Sequence, residues 1–546
     1  IRPYTVTRLP AISTLVIQHI AHRRPMSMTE TVAISPAAAL LLQGRTLHQQ
    51  GALAAARQLY DQALVLDPHD VDAHYLLAVL AVAAGDHARA QNLLLTACEL
   101  KPQHGACAYL LGHVLRSAGQ PLAALAWLDR ANELTPGHAL VWRCRAQALL
   151  DLERYADALQ ACDQALLLDP GALDAHFARG GALTMMGRYA EALLSYDQVL
   201  AIDPRHATCH SNRAQTLIRL AKAEGCDDAL LPALHHLKQS LAIQPHQPDT
   251  HRLCGGILRR LGEFNSAITH YEEAVRQDPA NHAAHYGLAA CWLSQGDWAR
   301  GWEKFEHRPL LEPDYVEVHQ ISSARLWRGE PLQGKSIVLV AEGGFGDVLH
   351  FFRYVRLASE RGARVSVVLP QELRGLLGHA QGAGRAGQSG TDYYCPMMSL
   401  PLAFGTRPDT VPAAHGYIQA DAAKASQWAQ RLPPRRKLRV GLAWSGNPQH
   451  LNDHNRSMPL AQLTSLLDEA DVAYCCLQKV VRDEDREALD SLPQLAFFGN
   501  ELKDFDDTAA LCEAMDLIIC VDTSVAHLAG ALAGWLRSVE EASQDR

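Results

Sequence analysis

Five prolines, Pro68, Pro102, Pro136, Pro170 and Pro204, stand 34 residues apart, and Pro245 and Pro279 repeat that interval. A fixed period of this length requires one structural unit copied in tandem, each copy burying its apolar side against the next. Every proline closes an apolar run of helical spacing (ALVLDP, ACELKP, ANELTP, ALLLDP, QVLAIDP, LAIQP, AVRQDP). Proline lacks an N–H and fixes φ, so it ends one helix and opens the next unit. Small residues recur 24 positions before the prolines (Gly44, Ala78, Gly112, Ala146, Gly180, Gly255) and 12 positions before them (Ala56, Ala90, Ala124, Ala158, Ala192, Ala233, Ala267). Those are the places where paired helices must touch. The interval from Pro204 to Pro245 is seven residues longer, and the surplus falls in AKAEGCDDALLPA, where a loop between the paired helices is expected to absorb it. An eighth, imperfect unit (NHAAHYGLAACWLSQGDWARGWEKFEHRP) ends the array. Its Trp292, Trp298 and Trp302 are expected to seal the last repeat against the next domain, with a ligand platform as the alternative.

This pattern resembles the tetratricopeptide repeat. The resemblance implies an all-α solenoid over residues 35–312, with a groove lined by the first helices that takes an extended protein or peptide. The repeats of O-linked N-acetylglucosamine transferases carry an asparagine ladder at one first-helix position. Here the equivalent places hold Leu42, Leu76, Leu110, Cys144, Ala178 and Asn212, so the ladder is missing.

At 546 residues the chain exceeds any single core and must divide into several domains. Apolar residues at 48% with only 6% aromatics favour helical, soluble structure over disorder or an all-β sandwich. Fifty Lys and Arg against 59 Asp and Glu leave a formal charge of -9, which offers nucleic acid no attracting field. Thirteen cysteines without C-x-x-C spacing sit mostly in apolar runs, which fits packing in a reducing cytoplasm. No stretch reaches the roughly 18 apolar residues of a membrane span. Residues 1–34 are read as an N-terminal extension, expected to be disordered; 1–25 lack a signal-peptide pattern, and Met26 or Met28 is the expected start.

After the connector HQISSARLWRGEPLQGK, short β-rich runs alternate with helices: SIVLVA, RVSVVLP, LRVGLAW, AYCCLQ, LAFFG and LIICVDT. Alternation of this kind predicts parallel α/β architecture. RLPPRRKLR, expected to be a solvated hinge, divides it into lobes of residues 313–430 and 431–546. In the first lobe a strand runs into Glu342-Gly343-Gly344-Phe345-Gly346-Asp347, where glycines permit close backbone approach. G-x-G-x-x-G would need glycine at Leu349, so a dinucleotide site is poorly matched. Asp347, at a helix N-terminus, can be a cap as readily as a catalytic group. In the second lobe Ser445 lacks the glycines of a hydrolase elbow, since Ala443 and Asn447 flank it. The strand LIICVD leads into Thr523-Ser524-Val525-Ala526-His527, a helix start suited to a diphosphate or to ordinary capping by Thr523. Asp483-Glu484-Asp485 imitates a metal-binding D-x-D but is read as a solvated helix face. His206, His210 and Cys209 lack a further ligand for a metal, and Cys475 and Cys476 read as packing on opposite strand faces.

The motifs GFGDVLHFFRY, NRSMPL and DTSVAHLAGAL resemble the ADP-heptose heptosyltransferases. Residues 300–535 look like bacterial proteins in which a tetratricopeptide solenoid precedes such a domain. The resemblance implies a two-lobed, Rossmann-like GT-B fold and a metal-independent, inverting transferase. It implies Asp347 as base toward the acceptor hydroxyl, with Gly344 and Gly346 making room for the acceptor. It also implies a nucleotide-sugar donor, as substrate with no other cofactor, held by Ser445, Arg456, Asp522, Thr523, Ser524 and His527. The relatives continue past the donor helix with another strand, whereas ALAGWLRSVEEASQDR stands in that place here, so the donor lobe is expected to be incomplete at its C-terminus. The alternative is a non-catalytic interaction scaffold with a degenerate transferase lobe.

Overall fold

The computed structural model describes residues 35–308, 324–378, 384–385, 391–412, 416–432, 438–449, 453, 456–468 and 471–532. The extension 1–34, the hinge prolines Pro433 and Pro434, Asn455 and the segment after Leu532 lie outside the described residues. One compact unit closes at Pro245; the other runs from His246 and takes in the last two helix pairs together with the α/β region.

From Pro36 to Phe305 the described chain forms sixteen α-helices in eight consecutive pairs. The first helices Val71–Ala83, Gly105–Ser117, Ala139–Asp151 and Leu173–Met185 each have 13 residues, and their partners have 14. The second helices of the first seven pairs stop two residues before their prolines, as at Leu66, because the residue preceding proline is driven out of the helical region; Asp67 has φ -137° and ψ 90°. Ala56, Ala90, Ala124, Ala158, Ala192, Ala233 and Ala267 are fully buried. A methyl group on Gly44, Gly112, Gly180 or Gly255 would come within 2.5, 2.6, 2.7 or 2.9 Å of Tyr60, Leu128, Tyr196 or Tyr271, each 16 residues further on. Both sets of small residues therefore mark helix contacts. The long repeat departs from expectation: its first helix, Ala207–Glu224, has 18 residues, so most of the surplus lengthens the helix rather than a loop.

The turn inside seven of the eight repeats follows one design, the long repeat being the exception. Gly51, Gly85, Gly119, Gly187, Gly262 and Gly296 have φ between 75° and 83°. At Gly85 the flanking bonds, Gly85 N–H to Val82 O and Asp86 N–H to Ala81 O, make a Schellman closure. Glu153 occupies this place in its repeat with φ 58° and makes the matching bonds to Leu150 O and through Arg154 to Leu149 O. A side chain there costs about 1 kcal/mol relative to glycine. Glu153→Gly is expected to raise unfolding free energy by roughly 0.5–1 kcal/mol in chemical denaturation.

The second unit carries two parallel sheets. The first has five strands, β1 (Arg325–Leu326), β2 (Ser336–Val340), β3 (Arg364–Val368), β4 (Gly384–Arg385) and β5 (Tyr393–Pro396), in the order β1-β5-β2-β3-β4. The second has β6 (Leu438–Ala443), β7 (Val472–Cys476), β8 (Leu495–Phe497) and β9 (Leu517–Cys520), in the order β8-β7-β6-β9. All six anticipated runs are strands. β1 lies inside the segment expected to be a polar connector; it pairs with β5, Arg325 opposite Tyr393. Cys475 and Cys476 are both buried, in different apolar clusters on the two faces of the second sheet, as strand alternation demands. One of these clusters joins Ile337 and Leu339 of β2 to Ala443, Cys475 and Ile518, so the two sheets share a core. Trp302 packs against it edge-on to Phe351, which makes it a seal, while Trp292 is buried.

Candidate functional site

β2 delivers the chain through Gly343, φ 75°, to the helix Phe345–Phe351. A Cβ on Gly343 would lie 2.8 Å from Asp347 Oδ2, so the left-handed glycine is required by the carboxylate folded back over it. Asp347 Oδ2 accepts the Gly344 N–H at 2.9 Å, the return half of a capping box. Asp347 thus stands at the third helical position, with Gly344 at the N-cap, and reaches back to it through Oδ2.

β9 delivers the chain to the helix Ser524–Ala531, with Thr523 at the N-cap. Thr523 makes no capping hydrogen bond, and its buried Oγ1 has no partner among the described residues, contrary to the ordinary-cap reading. Asp522 is exposed, and its carboxylate stands 3.8 Å from His527 Nε2. A Cβ on Gly346 would meet His527 Cδ2 at 2.7 Å and Ser524 Cα at 3.6 Å. Gly346 therefore admits His527 and not open space for a sugar. Through this contact the helix after β2 and the helix after β9 meet, one from each sheet.

Arg456 joins the same cluster. Its Nη1 donates to Asp522 O at 3.2 Å, and its guanidinium covers Gly446, where a Cβ would be 3.0 Å from Nη2. Asp453 lies between Arg456 and Arg482 and accepts from Arg482 and from Ser457 Oγ. Ser457 in turn accepts the Gly446 N–H at 2.9 Å, which fixes the loop after β6.

Ser445 does not join. It is buried at 8% exposure, and its Oγ accepts Gln478 Nε2 at 3.0 Å while its N–H donates to Gln478 Oε1 at 3.0 Å. Ser445 ties β6 to the end of β7 and does not face a donor. Asp485 departs from the solvated face expected of it: it is 3% exposed, with Oδ2 accepting Trp444 Nε1 and Oδ1 accepting Leu460 N–H, both at 2.8 Å. It is a buried anchor. His206 Nδ1 accepts the Cys209 N–H, and His210 bonds Pro204 O, so both serve the repeat turn.

Sequence reasoning missed Gln478, Asp453, Arg482 and His350. Gln478 lies two residues past the carboxyl end of the parallel strand β7, the one signal that could have marked it. The His350 ring stands edge-on to His527, centroids 5.5 Å apart. Burial, then the charges of Arg353 and His527, holds its pKa down to about 4. Burial likewise holds His113, His236 and His307 at about 4. Unfolding lets these rings take up protons near pH 6.5, so between about 6.5 and 4 the unfolded chain binds more protons and stability rises with pH. Each contributes at most about 1.4 kcal/mol per pH unit in that window, less where solvent screens it. Thermal melting is expected at lower temperature at pH 5 than at pH 7.

Profiles described as tetratricopeptide repeat match residues 145–207, 257–305 and 71–104, and one described as TPR repeat matches 44–85. A profile described as anaphase-promoting complex, cyclosome, subunit 3 matches 108–165. The protein is a tetratricopeptide-repeat protein with a helical solenoid N-terminal region. Protein FlbA of Caulobacter vibrioides is 26% identical over 309 residues, covering 50% of this chain and 51% of FlbA. The chain thus spans about half the length of that relative. Among solved structures, YrrB, described as a TPR protein with an unusual peptide-binding site, is 22% identical over 34% of this chain and 92% of its own, with TM-score 0.30. A tetratricopeptide repeat protein from Parabacteroides merdae is 16% identical over 47% and 98%, with TM-score 0.37. The type IV pilus biogenesis factor PilW is 18% identical over 39% and 96%, with TM-score 0.36. No described helix is long and apolar enough to cross a membrane.

Proposed function

We propose that the α/β region is a GT-B-type, metal-independent, inverting glycosyltransferase that moves a sugar from a nucleotide-diphosphate donor to a protein or polysaccharide presented by the repeats. The observation that carries this reading is the meeting of Gly346 and His527, which gathers Asp347, Arg456, Asp522, Thr523 and Ser524 around the carboxyl ends of β2, β6 and β9. Ligands of open parallel sheets bind at such ends. Arg456 and the first-turn N–H groups behind Thr523 would meet the leaving diphosphate, and the Thr523 hydroxyl, without a partner among the described residues, would be available to the same ligand. Asp347 would take the acceptor hydroxyl proton as that oxygen bonds to the anomeric carbon and the diphosphate departs. The thirteen free thiols, eleven of them buried, fit a reducing, cytoplasmic setting.

A second reading, a binding scaffold with a degenerate lobe, is favoured by one observation: Asp347 already has a structural task in accepting the Gly344 N–H. Calorimetric titration with nucleoside diphosphates separates the two. The transferase reading expects saturable binding that Arg456→Glu weakens by at least roughly 1.5–3 kcal/mol, about ten- to a hundredfold. Equal affinities would remove Arg456 from the site, and no binding of any nucleoside diphosphate would leave the scaffold.

A further inference from the structure

The last helix pair belongs to the same compact unit as the α/β lobes, and it ends in a buried ionic cluster. Arg308, 9% exposed, donates through Nη2 to Glu342 Oε1 at 2.5 Å and Ser399 Oγ at 2.8 Å, and through Nη1 to Glu306 Oε1 at 2.8 Å. Glu342 Oε1 also accepts the Met398 N–H at 2.9 Å, and Ser399 Oγ donates to Glu306 Oε2 at 3.0 Å. Glu342, its side chain 8% exposed, immediately precedes Gly343 and Gly344, the residues over which Asp347 folds. Two residues of chain reach no more than about 7 Å, so a carboxylate clamped at Glu342 restricts where Gly344 can lie. At its far end the helix Phe345–Phe351 meets the same repeat again, Trp302 against Phe351.

We infer that Arg308 is a positioning residue: through Glu342 the end of the repeat array sets the loop that orients the Asp347 carboxylate. The consequence for sugar transfer rests on the transferase reading; the positioning itself does not. Removing the guanidinium leaves a buried carboxylate uncompensated, and such a group must move or protonate. Replacing Arg308 and Glu342 together with methionine removes the cost at Glu342 but also the clamp, while Glu306, more exposed and still bonded to Ser399 Oγ, keeps a partner.

The test is amide hydrogen exchange of the full chain, followed at the Gly344 N–H and in peptides across residues 339–350. Arg308→Met is expected to speed exchange there at least tenfold and to leave peptides from β6 and β7 unchanged. The double variant Arg308→Met/Glu342→Met is expected to melt closer to wild type than Arg308→Met while its loop still exchanges at least tenfold faster, a combination that a purely structural pair cannot produce. If Arg308→Met does not fold, Arg308→Lys, which keeps the charge and loses the fork, is expected to show a severalfold increase confined to the loop. Unchanged loop exchange, or an equal increase throughout the unit, overturns the inference. Nucleoside diphosphate affinity of Arg308→Met is expected to equal that of wild type. If wild type binds none, the transferase reading fails, and the exchange data still decide this one. Where turnover is measured, kcat should fall with the donor KM unchanged.

Discussion

Asp347→Asn is expected to melt close to wild type and to lose sugar transfer by roughly a hundredfold or more. The two effects separate because Asp347 has two oxygens in different positions. Oδ2 accepts the Gly344 N–H from the third helical position, a bond the asparagine carbonyl can reproduce, as an amide replaces an acid at that place in capping boxes. A neutral amide cannot take a proton from the acceptor hydroxyl, so general-base chemistry is lost. Melting is measured alongside transfer from whichever nucleotide sugar the titrations identify. Wild-type transfer in Asp347→Asn would leave this residue with its cap alone. A large fall in melting temperature would mean that the carboxylate charge itself holds the loop.

Asp485→Ala is expected to destabilise the second unit by roughly 3–5 kcal/mol, because it strands two buried donors, Trp444 Nε1 and Leu460 N–H, at once. Trp444 is fully buried, so no water reaches its indole nitrogen in compensation. Asp485→Asn keeps one acceptor and is expected to cost about half as much. Denaturant titration measures both. A solvated D-x-D carboxylate would respond to alanine by no more than about 0.5 kcal/mol. The size of the loss therefore decides between an anchor and a surface metal ligand.

The architecture of the repeats was legible because its causes are short-ranged. Gly180 must be small since Tyr196, 16 residues on in the paired helix, lies against it, and that relation recurs with every period. The turn glycines carried the same information and were not used; Glu153 shows that their place is geometric, because the chain takes the left-handed turn even where glycine is absent. Six of the nine strands were legible as apolar runs, since buried parallel strands must be apolar along their length. β1, β4 and β5 were not: β1 and β4 are two residues long, β5 (YYCP) is no continuous aliphatic run, and all three are defined by pairing with neighbours more than by composition.

At the candidate site, sequence alone marked the loops but not the partners. Gly346 and Asp522 were identifiable in loops just past strands, Arg456 and His527 through the motif resemblance, and the fold brings the four together. Whether a polar side chain there faces a ligand or the interior depends on groups far away in sequence. Ser445 is claimed by Gln478, 33 residues on, Asp485 by Trp444, 41 residues back, and Glu342 by Arg308, 34 residues back. A periodic pattern records which side of an element is buried. A buried polar group must be satisfied wherever the fold supplies a donor or acceptor, and that pairing exists only once the sheets and the last repeat have packed.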